Sequence, residues 1–158
     1  MATYRYGDWS KAERILSGLF DRTNRNMEQA AKRNAVDLRD EMKRTIAKTD
    51  PQWPPLKEAT IERKGSSKIL VDHADLMHGI IYQIVNSFLV FVGVKKGARN
   101  RTGEDLVQIG AVHEFGSKKR NIPMRSYIRK TLIRIRERLQ KRFIKAARDA
   151  LFGVDYHG

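Results

Sequence analysis

The chain has 158 residues, carries 32 Lys and Arg against 18 Asp and Glu for a formal net charge of +14 at pH 7, and contains no cysteine. One core suffices for that length, and a 41% share of hydrophobic residues spread along the chain predicts a folded single domain over 1–158. Lack of cysteine excludes disulfides, thiolate catalysis and cysteine-bound zinc. No 18-residue apolar run offers a membrane span, and Met1 to Ser10 lack the apolar centre of a signal peptide.

Taken in chain order, residues 1–8 read as a flexible N-terminus. Ser10 and Glu13 have capping-box spacing, and Ala12, Ile15, Leu16 and Leu19 recur at helical period, which predicts a first helix over 10–20. The polar stretch Asp21 to Asn26 reads as a break, with one bent helix as the alternative. Asn26 and Gln29 repeat the capping spacing, and Met27, Ala31, Leu38, Met42 and Ile46 form a stripe that predicts a second helix over 25–47. Pro51 ends it, because its ring disfavours helix in the residue before it.

Pro51 to Ser67 reads as mostly loop, pinned to the core by Trp53. Asp72 is placed to cap a short helix through Leu76 and Met77, closed by Gly79. Ile80–Val85 and Phe88–Val94 are rich in β-branched and aromatic residues and read as a hairpin turning at Asn86 and Ser87. Lys95 to Asp105 reads as an exposed, mobile loop with four cations (Lys95, Lys96, Arg99, Arg101) and two acids. Leu106–Phe115 fits a strand by Val107 and Ile109 and a helix by Ala111, Val112 and Phe115. A basic turn over Gly116–Arg120 follows. From Ser126 a long helix runs to Leu151 on a stripe of Ile128, Leu132, Ile135, Leu139, Phe143, Ala146 and Ala150, with Gly153 past its end. Helices, then a small antiparallel sheet, then one long helix make an α+β fold.

Chemistry is harder to find. His113-Glu114 begins a zinc-protease pattern, but Ser117 stands where the second His belongs. His73 and His78, with Asp72 and Asp75 beside them, are five residues apart and fall on different helical faces. No phosphate loop or nucleophile elbow is present. The expectation is therefore no catalytic, cofactor or metal site; a hydrolase using His73, Asp75, His78 or His113 lacks any spacing to argue from. The last helix carries nine cations from Arg129 to Arg148 against one acid, Glu137. Its cationic face suits solvent, a protein partner or DNA phosphates better than a membrane surface. Candidate contacts are Lys95, Lys96, Arg99, Arg101, Arg134, Arg138, Lys141, Arg142 and Lys145.

Four segments, in order, resemble the virion-morphogenesis family of tailed phages: Trp53-Pro54-Pro55-Leu56 with Thr60 and Lys64; Ile69 to Leu76; Ala111-Val112-His113-Glu114-Phe115-Gly116; and Ile122-Pro123-Met124-Arg125-Ser126-Tyr127-Ile128. The resemblance covers roughly residues 25–150. It implies structural rather than catalytic motifs, at Trp53, Asp72, Leu76, His113, Phe115, Gly116, Pro123 and Arg125. His113 to Gly116 would make a tight turn with Phe115 packed inside, and Pro123 and Arg125 would aim the chain into the last helix. It also implies a homohexameric ring in the virion neck or at the head-proximal end of the tail, made in the host cytoplasm. Head connector, tail tube or tail terminator proteins would be its neighbours, and viral DNA would pass through its channel. A ring repeats one head-to-tail interface until it closes. The alternative is a basic nucleic-acid-binding protein acting outside a virion neck.

Overall fold

A computed structural model describes residues 7–70, 74–86 and 89–156. It is an α+β fold of five helices and one two-stranded antiparallel sheet among those residues. The elements are α1 Trp9–Lys48, α2 Glu58–Lys64, α3 Asp75–Gly79, β1 Ile80–Asn86, β2 Leu89–Val94, α4 Leu106–Phe115 and α5 Ile128–Leu151.

The two expected N-terminal helices are one, about 60 Å long at 1.5 Å per residue. Its cap is Asp8, whose carboxylate accepts from the Lys11 N–H at 3.0 Å; Ser10 lies inside the helix and donates to Asp8 instead. The polar stretch over 21–26 does not break α1, because its side chains are used elsewhere. Thr23 Oγ1 donates to the Leu19 carbonyl one turn back, and Arg22 Nε donates to the Ala150 carbonyl at the end of α5. Asn26, expected as a cap, is buried: Nδ2 donates to the Ala146 and Val154 carbonyls and Oδ1 accepts from the Tyr156 N–H.

Helix α5 lies antiparallel along α1. Thr45 and Thr131 share a buried hydroxyl contact at 2.9 Å, and Asn34 Nδ2 donates to the Leu139 carbonyl. Small residues let the two helices approach: Ala30, Ala31, Ala35, Ala146 and Ala150 are all buried. Gly153 closes α5 at φ +77, as the sequence predicts. Tyr156 then folds back against Ala30 and Ala146, with Met27 and Phe143 at its margin.

The larger core gathers Met42, Ile46, Trp53, Ile69, Leu70, Leu76, Ile80 and Tyr127. Trp53 thus does anchor the long connection, but α2 occupies part of what reads as loop. Gly79 is the last residue of α3 without left-handed φ; it is small because a Cβ there would meet Leu106 Cδ1 at 3.0 Å. The cap expected of Asp72 and the turn residue Ser87 lie outside the described residues. Strand register runs from Ile80 opposite Val94 to Ile84 opposite Val90, with an irregularity before Asn86. Ile80, Val92 and Val94 pack into the core, while the distal half of the hairpin extends beyond it.

Candidate functional site

Three of the four motif segments, and the end of the other, meet at one junction. Leu106–Phe115, ambiguous in the sequence, is helical because Asp105 caps it: Oδ1 accepts from the Val107 and Gln108 N–H groups at 2.7 and 3.4 Å. Leu106, Gly110 and Glu114 then fall on one face and are buried. A Cβ on Gly110 would lie 2.7 Å from the Tyr127 hydroxyl and 3.2 Å from Val94 Cγ2. Gly110→Ala should therefore cost about 1–2 kcal/mol in urea unfolding despite its better helix propensity. Tyr127→Phe, which removes the nearest atom, should recover most of the loss.

Phe115, expected inside, is 68% exposed, and Glu114 takes the interior at 4%. The Glu114 carboxylate accepts from Ser126 Oγ at 2.6 Å and from the backbone N–H groups of Tyr127, Ile128 and Arg129 at 2.8, 2.8 and 3.0 Å. These are the orphan donors at the start of α5, which has neither a capping side chain at Tyr127 nor an acid in its first turn. Desolvation pushes the Glu114 carboxyl up, but the bonds from Ser126 and the three backbone donors outweigh it and hold the group below the usual range.

Gly116 follows at φ +75, with room for no side chain: a Cβ would meet the Met124 N–H at 3.0 Å. The strand-like return from Ser117 to Ile122 brings Pro123 to Ser126 back under α4, where the Arg125 N–H donates to the His113 carbonyl at 2.7 Å. The buried Arg125 guanidinium reaches across to the first motif. Nε and Nη2 donate to the Pro54 carbonyl, both at 3.1 Å, and Nη2 also donates to Pro55 at 3.2 Å. Leu76 packs in the same core as Trp53 and Tyr127. His113 is pushed down to about 4, first by burial and then by Arg125 and Lys64, so it stays neutral through the physiological range. Pro123 is exposed.

The candidate contact cations divide into two groups. Arg134 pairs with Glu41 at 3.2 Å and donates to Thr45; Arg138 lies against Asp37 and Glu41; Arg142 bonds Asn34 at 2.6 Å and Asp37 at 2.7 Å. Lys141 and Lys145 make single-turn pairs with Glu137 and Asp149. Much of the α5 charge is thus opposed by α1 and by α5 itself. Lys95, Lys96, Arg99 and Arg101 are exposed and, among the described residues, join no carboxylate in an ion pair. Their loop is exposed as expected, but it is organised around Asn100, whose Oδ1 accepts from Thr102 N and Oγ1 and from Glu104 N.

Among the described residues no three His, Asp or Glu side chains gather where a metal ion would be held, and no helix is long and apolar enough to cross a membrane. Sequence reasoning missed Asn34 and the buried hydrogen-bonding roles of Glu114 and Asn26. For Glu114 the signal was present: a basic helix with no acceptor at its own start needs one from elsewhere.

Fold and junction together define an α+β protein on an antiparallel pair of long helices, whose motif side chains brace chain crossings. No family model matches the chain, and no solved structure matches it. The uncharacterized protein MJ0331 of Methanocaldococcus jannaschii is 30% identical over 110 residues, covering 67% of this chain and 76% of that protein. The chain belongs to the family of that protein.

Proposed function

We propose that this chain is a structural assembly protein of a tailed phage, forming a ring in the neck or at the head-proximal end of the tail. Its work there is tail completion or head–tail joining, not catalysis. Viral DNA passes through its channel, and head connector and tail tube or terminator proteins are its neighbours. The order of the four motif segments supports this reading, and so does their use as braces.

The observation that carries it is apolar surface exposed among the described residues. Helix α5 ends level with Arg22, so residues 9–21 of α1 project about 20 Å beyond it. That projection bears Trp9, Ile15, Leu16 and Phe20, with Leu16 and Phe20 at 64% and 65% exposure. A second set of exposed apolar residues, Ile84 on one face and Val85, Leu89 and Phe91 on the other, lies on the distal hairpin, whose sheet has only two strands among the described residues. Open edges and apolar patches of this kind are normally covered by another chain. The hairpin stacks on α1 at Arg39, whose guanidinium lies 5.1 Å from the Tyr82 ring. The two patches are therefore dissimilar and about 30 Å apart along α1, which suits a head-to-tail contact better than a two-fold one.

Sedimentation velocity of the purified chain tests this. The wild type should sediment as a closed multimer near six copies, and Leu16→Lys with Phe20→Lys should give a monomer of unchanged helicity. A wild type that is monomeric at every concentration would overturn the ring. If that monomer bound DNA, the reading as a nucleic-acid-binding protein outside a neck would replace it.

A further inference from the structure

The charge of the chain is balanced unevenly. Along α5, Arg134, Arg138 and Arg142 face Asp37 and Glu41 of α1, and Lys141 and Lys145 pair with acids of α5 itself. At the end formed by the 95–105 loop and the 118–120 turn, the acids are committed to backbone and loop structure instead. Asp75 accepts from the Arg101 N–H, Asp105 caps α4, and Glu104 is held by Asn100 and Thr102. The cations there are exposed, and two shallow depressions of about 330 and 340 Å³ join them. Lys95, Lys96, Arg99 and His78 line the first; Arg99 and Arg120 line the second. Arg99 thus links the loop to the turn carrying Lys118, Lys119 and Arg120.

We propose that this end, and not α5, is the surface that meets the phosphate backbone of duplex DNA. This deepens the assembly reading and rests on it for the DNA that the ring would enclose. Three features select the partner. Four of the seven cations are lysine (Lys95, Lys96, Lys118 and Lys119), a residue depleted from the centres of protein interfaces that contacts phosphates readily. No Phe, Tyr or Trp side chain lines either depression, which disfavours stacking of single-stranded bases. No element of the patch projects a helix for reading base edges, so binding is independent of sequence.

Fluorescence anisotropy with a labelled 30-base-pair duplex of mixed sequence, from 50 to 200 mM salt, tests the assignment. Two triple variants with equal change in charge are compared: Lys95→Glu, Lys96→Glu, Lys119→Glu at this end, and Arg129→Glu, Arg136→Glu, Lys141→Glu on α5. Wild type should bind at low salt and lose about a hundredfold or more in affinity over that range. The first variant should weaken binding by about thirtyfold or more with a shallower salt dependence, and the second by only about threefold. Equal losses in both variants, a larger loss in the second, or no duplex binding by wild type at 50 mM salt would overturn the proposal. So would polyglutamate competing as strongly as unlabelled duplex, which would mark the patch as an acidic-protein surface. Sedimentation of the same samples separates the two readings: an assembled wild type that ignores DNA sinks this inference alone, and a DNA-binding monomer sinks the ring alone.

Discussion

Replacing Glu114 by Ala should lower stability by about 3 kcal/mol, a fall in Tm of about 6–12 °C for a domain of this size. The carboxylate satisfies four donors at once, and two of them, Ser126 Oγ and the Tyr127 N–H, belong to buried residues that water does not reach. Alanine leaves those donors unpaired and removes negative charge from the start of a 24-residue helix. Glu114→Gln keeps one acceptor oxygen but turns an amide N–H toward the others, at a cost of about 2 kcal/mol. The pH dependence identifies the cause. The folded-state pKa is depressed, so the contribution is fully present above the unfolded value of about 4.3 and is lost as pH falls through the lower folded value. Urea midpoints of wild type and Glu114→Gln should therefore converge as pH drops below about 4. A gap that stays constant down to pH 2 would mean that the carboxylate is not the acceptor described.

Arg125 should show the second largest effect. Its guanidinium is nearly out of water, and burial lowers its pKa without any carboxylate to offset the cost. What holds it is a fork of donors on the Pro54 and Pro55 carbonyls, and two proline residues leave that stretch few N–H groups of its own. Arg125→Lys puts a single ammonium where a planar fork spans two carbonyls and should cost about 2 kcal/mol; Arg125→Met leaves both carbonyls without this donor and should cost about 3 kcal/mol. The loss should be local before it is global, because the bond ties Trp53 into the core. In a Trp9→Phe background, where Trp53 is the remaining tryptophan, its emission should shift to the red in Arg125→Met before α1 and α5 unfold. Unchanged emission would place the anchor of Trp53 elsewhere.

These two residues also mark where local pattern reading works and where it stops. Most of the apolar stripe of α5, the closing Gly153, the hairpin and the anchoring Trp53 are set by near neighbours in sequence, and their signals are plain; Leu132, expected in that stripe, is exposed because the face toward α1 carries Thr131 and Ile135 instead. The continuity of α1 is not local. Arg22 and Asn26 look like a polar break because their partners lie more than 100 residues away, on α5 and the tail behind it. The interior of α4 was misread by one residue for a related reason. Ala111, Val112 and Phe115 make a plausible apolar face, yet the helix turns Leu106, Gly110 and Glu114 inward, because the start of α5 needs an acceptor and Tyr127 needs the space above Gly110. Three cations of the α5 run, Arg134, Arg138 and Arg142, lie against Asp37 and Glu41, one helical turn apart on α1. Cation runs are legible in a sequence; their opposing acids on another element are not.

In the motif junction the side chains and backbone of the four segments serve structure. His113 serves through its backbone carbonyl, Gly116 through its missing side chain, and Arg125 through carbonyls it holds in place.

The most direct test of the proposed assembly is electron microscopy of tailed particles carrying a version of this chain tagged at Gly65, in the exposed turn after α2. The assembly account predicts a closed ring on the tail axis between head and tail, with the projecting end of α1 from each copy against its neighbour. Density for isolated subunits away from that axis, or no ring in particles known to contain the chain, would contradict it.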